Sequence, residues 1–224
     1  MITILSHRAN INGSNHLTEN TVKTCKESLH LGFGLELDVR GYNEKLYAKH
    51  DPIKSDEEQL WNEIVMVIKD YPELPIAINI KDTGHESSII QSISEIDKSN
   101  LFLFDLELVV GLENYNSLAS LYRNLDPNLE VAIRVSDRSE TLERAVSSNS
   151  TVVWLDEFDK FWVSKESVYT LNQAGKTIYA VAPDLHGHSA QVSMSRCQEF
   201  IDWGVTGICT DYPIMLRKLC EEIV

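Results

Sequence analysis

Residues 36–39 read "ELDV", and the alternation there decides how the rest of the chain is read. Successive side chains of a strand point to opposite faces, so Glu36 and Asp38 share one face while Leu35, Leu37 and Val39 share the other. A strand early in a mixed chain is commonly covered on both sides. Two carboxylates on a covered face call for a nearby cation, because each raises the cost of ionising the other. The same design recurs downstream. "PIAINIK" (75–81) sets Ile76, Ile78 and Ile80 against Ala77, Asn79 and Lys81. "VAIRVS" (131–136) sets Val131, Ile133 and Val135 against Ala132, Arg134 and Ser136.

Outward from these stretches, short apolar runs predict strands at 2–6, 34–39, 75–80, 101–104, 131–135, 151–155, 177–182 and 207–210, with a strand-like "KLYAK" after the second. Amphipathic stretches predict helices at 19–31, 56–69, 84–96, 112–123, 139–147, 165–174, 195–203 and 213–222. Eight alternations of strand and helix suit an α/β fold of the closed (β/α)8 kind. A doubly wound sheet would carry a glycine-rich phosphate loop after a strand, and no G-x-G-x-x-G or G-x-x-x-x-G-K occurs.

A length of 224 residues with 43% apolar content suffices for one substantial core, so a single domain over 1–224 is expected. The longest apolar runs, such as "LFLF" (101–104), are strand-sized, and no membrane insertion is expected. "MITILSHR" lacks the basic start and long apolar stretch of a secretion signal, which predicts a cytoplasmic protein. Cys25, Cys197, Cys209 and Cys220 are scattered, a pattern of reduced thiols rather than of a disulfide framework or zinc knuckle. A net charge of −14 makes nucleic acid and anionic membranes poor partners, leaving a small-molecule substrate as the expected one. An anionic substrate then needs a local positive site. The oligomeric state is left open.

In a barrel, chemistry gathers where strands end. The first strand ends in "SHRA" and the run after the second ends in "AKHDP", which brings His7 and His50 forward as an acid–base pair. Further motifs follow in order: His7-Arg8, Glu19-Asn20-Thr21, Glu36-x-Asp38, His50-Asp51, a strand ending in Lys81, and "WGVTGICTDYP" (203–213). Together they resemble the glycerophosphodiester phosphodiesterase family over nearly the whole chain. The resemblance implies a (β/α)8 TIM barrel of the phospholipase C-like phosphodiesterase type. It implies one divalent cation, magnesium or calcium with manganese as a further option, held by Glu36, Asp38 and Asn79. His7 and His50 are then the proton-transfer pair, and Arg8 and Lys81 contact the phosphoryl oxygens, with Glu19, Asn20 and Asp51 in support.

Several positions depart from the family pattern. Asn79 stands where a carboxylate is usual, Ala9 where a glycine follows His-Arg, and "GYNEKL" (41–46) replaces a glycine-bearing turn. An amide oxygen still ligates a hard cation, at the loss of one negative charge, so weaker metal binding is expected. Other residues admit more than one role. Glu19 could instead favour a helix dipole, with Asn20 and Thr21 as caps. Arg134 could contact substrate or pair with Asp105 inside the barrel. Asp156 shares a face with Trp154, and His186-x-His188 is read as substrate contact or solvent-facing rather than zinc-binding. The acidic run 56–58 suits a helix start. The activity expected is hydrolysis of a small soluble glycerophosphodiester to a phosphomonoester and an alcohol. The alternatives are a cyclising phosphodiester lyase and a phosphate-ester-binding protein with weakened catalysis.

Overall fold

Strict in–out alternation along successive strands builds a barrel here. The computed structural model describes residues 2–106 and 118–222. Its first half runs β1 (Thr3–His7), α1 (Val22–His30), β2 (Gly34–Tyr42), β3 (Lys45–Ala48), α2 (Trp61–Ile68), β4 (Ile76–Ile80), α3 (Glu86–Ser92) and β5 (Leu101–Phe104). The second half runs α4 (Leu118–Leu125), β6 (Glu130–Val131), β7 (Ile133–Val135), α5 (Leu142–Ser147), β8 (Val152–Leu155), α6 (Lys165–Gln173), β9 (Thr177–Val181), α7 (Ala190–Trp203), β10 (Gly207–Thr210) and α8 (Pro213–Glu222).

The hydrogen-bonded order is β6-β5-β4-β2-β1-β10-β9-β8-β7, with β3 folded back antiparallel on β2. The two ends of that path are consecutive in sequence. Only Ala132 separates β6 from β7, and its N–H donates to Leu103 O at 2.8 Å, so the strand expected over 131–135 bridges β5 and β8 and closes the ring. The (β/α)8 barrel expected from the alternation is the fold observed.

Outward-facing side chains make two cores under the helices. Leu37, Ile78 and Leu103 pack with Trp61 and Ile64 in one, and Ile133, Val153, Ile178 and Ile208 pack with Val168 and Phe200 in the other. Truncating one of these fully buried residues to alanine costs about 2–5 kcal/mol. A third cluster fills the lumen and includes Leu5, Phe102, Phe104, Trp154, Tyr179 and Cys209. Phe104 stacks on Trp154 at 4.4 Å between centroids, and Phe102 meets Tyr179 at 5.2 Å. Gly207 is required here, because a Cβ at that position would lie 2.6 Å from the Tyr179 ring. The barrel is therefore a packed body rather than a pore.

Helix starts differ from the sequence expectation. The helix expected over 19–31 begins at Val22, with Thr21 as N-cap accepting from Thr24 N. Asn20 takes a left-handed φ of 55° and is bound to Asp38 instead, which halts the helix short of it. The acidic run 56–58 precedes α2 rather than opening it: Tyr47 donates to Asp56 at 2.7 Å and Lys49 to Glu58 at 2.6 Å. In the other direction, α7 starts at Ala190, five residues before the expected 195, behind a Ser189 N-cap. Of the helix expected over 112–123, residues 112–117 lie outside the described residues, and 118–123 fall within α4.

Candidate active site

The side chains at the C-terminal rim of the barrel are mostly polar or aromatic, with Ile80, Val181 and Leu185 among them, and they line a cavity of about 670 Å³. A larger depression of about 810 Å³ lies outside the barrel between α1 and α2. None of the rim's histidines, carboxylates or cations lines it, so the chemistry belongs to the mouth.

β2 brings Glu36 and Asp38 into the cavity at 2% and 1% exposure, so neither is a solvated surface acid. The cations that face Asp38 come from the protein. Lys81 Nζ lies 3.0 Å from Asp38 Oδ1 and Arg8 Nε 3.2 Å from Oδ2, while Asn20 Nδ2 donates to Oδ2 at 2.9 Å. The Lys81 contact is an ion pair outside hydrogen-bond geometry, so Oδ1 has charge pairing without a hydrogen bond. Burial pushes the Asp38 carboxyl up, but Lys81, Arg8 and the Asn20 bond outweigh it and hold it below its ordinary value. Glu36 is treated differently. It accepts the Arg8 backbone N–H at 3.2 Å, and its ion-pair partner among the described residues is the His7 ring at 3.8 Å. Burial first, and then the charge of Asp38, raise its carboxyl from 4.5 to about 7.

His7 ends β1 and is oriented from behind. Its Nδ1 donates to Asp211 Oδ1 at 2.8 Å, an oxygen that also accepts from Asn10 Nδ2 at 2.9 Å. That bond fixes the tautomer that leaves Nε2 toward Glu36. Burial lowers the imidazole's affinity for a proton, yet the Asp211 bond and the charge of Glu36 raise its pKa above 6.5 overall. Asp211 was not singled out from sequence, although the parity of "GICTD" (207–211) puts it on the same face as Cys209, which lies inside the barrel.

His50 sits on the rim, beyond β3, and its side chain is 40% exposed. Its Nδ1 meets Asp51 Oδ1 at 2.9 Å, a bond that heads the causes lowering the Asp51 pKa. The loop carrying it is tied to the barrel by Arg40, which donates from Nε to His50 O at 2.8 Å and from Nη1 to Asp82 at 2.5 Å. Glu19 reaches back to Arg8 Nη1 at 3.1 Å. Its partners are that arginine, which lines the cavity, and the exposed His16 at 3.3 Å, rather than the start of α1.

The opposite wall holds Arg134. Asp105 takes it in a bidentate pair at 2.5 and 2.8 Å, and Asp156 takes its Nη1. The Asp105 pairing was one of the two readings of Arg134. His186 Nε2 donates to Asp156 Oδ1 at 2.5 Å, and its ring lies 4.6 Å from Phe158. His188 lies instead against Phe161 at 5.3 Å. Among the described residues no group of three or more His, Cys, Asp and Glu is arranged to hold a metal ion. Glu36, Asp38 and Asn79 are nonetheless brought together: Asp38 and Asn79 are register partners on β2 and β4, and all three line the mouth.

No protein-family model and no curated protein matches this chain. Solved structures do. A glycerophosphoryl diester phosphodiesterase from Parabacteroides distasonis is similar at a TM-score of 0.73 and 14% identity, covering 100% of this chain and 87% of that one. A glycerophosphodiester phosphodiesterase from Agrobacterium tumefaciens is similar at 0.68 and 16%, covering 99% and 100%. The chain has the fold of these phosphodiesterases. A dihydropteroate synthase from Stenotrophomonas maltophilia is also similar, at a TM-score of 0.56 and 10% identity over 99% and 91%. One barrel thus serves unrelated reactions, and the activity has to be argued from the mouth. Among the described residues no helix is long and apolar enough to cross a membrane.

Proposed function

We propose that this chain hydrolyses a small glycerophosphodiester, or a related phosphodiester, to a phosphomonoester and an alcohol. The observation that carries the reading is a half-buried His7, oriented by Asp211, facing the same cavity as Arg8, Lys81, the Glu36–Asp38 pair and the rim histidine His50. A phosphodiester resists attack because its oxygens are anionic. Arg8 and Lys81 oppose that charge as it grows in the transition state. One imidazole takes the proton from the attacking hydroxyl or water, and the other gives a proton to the departing alkoxide. Asp211 holds the His7 ring in place for its share, and Arg40 holds the backbone of His50.

The oxygens at the base of the cavity fit a hard divalent cation. Asp38 Oδ1 and Asn79 Oδ1 are buried without a hydrogen bond, on register partners, and Glu36 adds a second carboxylate. Glu36, Asp38 and Asn79 would hold magnesium, calcium or manganese, which supplies Lewis-acid stabilisation of phosphoryl oxygens. Lys81 and Arg8 already oppose the charge of Asp38, and Asn79 brings no charge of its own, so the affinity of the site is expected to be low.

A panel of soluble glycerophosphodiesters with each metal tests the reading. The parent should release phosphomonoester, and His7→Ala and His50→Ala should each lose ~10²–10⁴-fold in kcat. Equal turnover by parent and variants would remove the acid–base assignment. Accumulation of a cyclic phosphate on phosphorus NMR would replace hydrolysis by the cyclising reaction.

A further inference from the structure

The turn "APDLHG" (182–187) delivers Leu185 and His186 to the cavity, while Asp184, just ahead of them, makes its bonds behind the lining. Its carboxylate collects neutral donors. Oδ2 accepts the Asp211 backbone N–H at 2.7 Å, both oxygens accept the Thr210 hydroxyl at 3.1 Å, and Oδ1 accepts the Ser193 hydroxyl. Each hydroxyl is committed to this role. Thr210 Oγ1 itself accepts the Tyr212 N–H at 3.0 Å and Ser193 Oγ the Asp184 N–H at 3.0 Å, so the hydrogen of each is left for Asp184. The hydrolytic steps above use none of these residues. We infer that Asp184 is a positioning residue for His7, acting through Asp211, an inference that rests on the acid–base role given to His7.

His7 is oriented by a single oxygen of Asp211, and that oxygen is only as well placed as the backbone that carries it. Asp211 lies one residue past β10, where the ladder ends. Two contacts hold it there instead. Asp184 takes its N–H, and its carbonyl accepts the Gly13 N–H at 2.7 Å. Asp211 is thereby gripped on both sides of its Cα, which fixes the direction in which its side chain leaves. Asn10 binds the same Oδ1 but leaves the backbone of Asp211 untouched.

The grip is kept at a cost. Burial raises the Asp184 carboxyl above its ordinary value, and the charge of Asp211 adds to the rise, against the bonds from Ser193, Asp211 and Thr210. An asparagine would carry no such charge, but its amide has one acceptor oxygen for three converging donors. Ser193 and Thr210 are fully buried, so a donor dropped by Asp184 finds no water in exchange.

The test pairs kinetics with the tautomer of His7. An unrestrained imidazole favours the Nε2–H form, whereas the Asp211 bond holds Nδ1–H. Ring-nitrogen shifts, read through the carbon-bound ring protons of isotope-labelled histidine at alkaline pH, report the ratio without substrate, and the His7 signals are assigned by their loss in His7→Ala. Asp184→Ala should lower kcat by about 10–100-fold with little change in KM, and should move His7 toward Nε2–H. Asp184→Asn keeps one acceptor for the Asp211 N–H and should restore most of both. Adding Asp184→Ala to Asp211→Asn should cost little beyond Asp211→Asn alone, because the two residues act in series. Ser193→Ala loosens the same turn but leaves the Asp211 bond, and should shift the tautomer less than Asp184→Ala. A fall in kcat with the tautomer unchanged, additive losses in the double variant, or a parent whose His7 is mainly Nε2–H overturns the positioning role. Should Asp184→Ala prove unfolded by circular dichroism, Asp184→Asn decides: a tautomer shifted toward Nε2–H supports the role, and one equal to the parent's overturns it. Should the parent turn over no ester, the hydrolytic reading falls, and the tautomer alone still decides whether Asp184 orients His7.

Discussion

Glu36→Gln is expected to stabilise the metal-free protein at pH 8 while destroying its activity. The Glu36 carboxyl is raised from 4.5 to about 7 by burial and by the charge of Asp38. An acid that binds its proton more tightly when folded loses stability as pH climbs from its unfolded value to its folded one, and the loss is complete above the latter. At about 1.4 kcal/mol per pH unit, the shift corresponds to ~3 kcal/mol at pH 8. Glutamine avoids this cost, because its amide oxygen still accepts the Arg8 backbone N–H that Glu36 now accepts at 3.2 Å. For a chain of this length, ~3 kcal/mol is about 6–12 °C in Tm. Both ends of the pH range isolate the effect. At pH 8, above its folded value of about 7, Glu36 carries its charge, and near pH 4 it is mostly protonated in folded and unfolded chains alike. Urea titrations of parent and variant in EDTA at pH 4 and pH 8 measure the difference. A gain of the same size at both pH values, or a loss at pH 8, would show that burial of the charge is not what strains this site.

Three further outcomes follow from the mouth. Asp211→Asn should lower kcat by about 10–100-fold, the value of a charge-assisted hydrogen bond, and should move the pH limb governed by His7 downward, because the bond that raises that imidazole is lost; a pH–rate profile reads both. Asn79→Asp should tighten magnesium binding by about tenfold or more, measured by calorimetry, since it adds a charge at an oxygen now without a hydrogen bond. Arg40→Met should lower kcat with little change in KM, because it frees the loop that carries His50 without touching the phosphoryl centre; a fall confined to KM would contradict that role.

The barrel was legible because its information is periodic. Leu35, Leu37 and Val39 against Glu36 and Asp38, and the matching sets in 75–81 and 131–136, fix which face is inside without knowledge of distant residues. The strand-end histidines and Lys81 could be found for the same reason. What escaped depends on contacts remote in sequence. Asn20 leaves the helix because it is recruited by Asp38, eighteen residues away, and Asp56 and Glu58 leave theirs for Tyr47 and Lys49. The 30-residue separation of His186 from Asp156 and the 204-residue separation of His7 from Asp211 leave no local trace. The cation expected beside the paired acids is supplied to Asp38 from within the chain, by Lys81 and Arg8.

The aromatic plug formed by Phe102, Trp154 and Tyr179 seals the end of the lumen away from the histidines. Among the described residues the plug leaves the rim as the way in, so reactant enters and both fragments depart through the same opening. Either fragment, while lodged there, bars the next arrival. Both should therefore act as competitive inhibitors, and raising the concentration of reactant should relieve them.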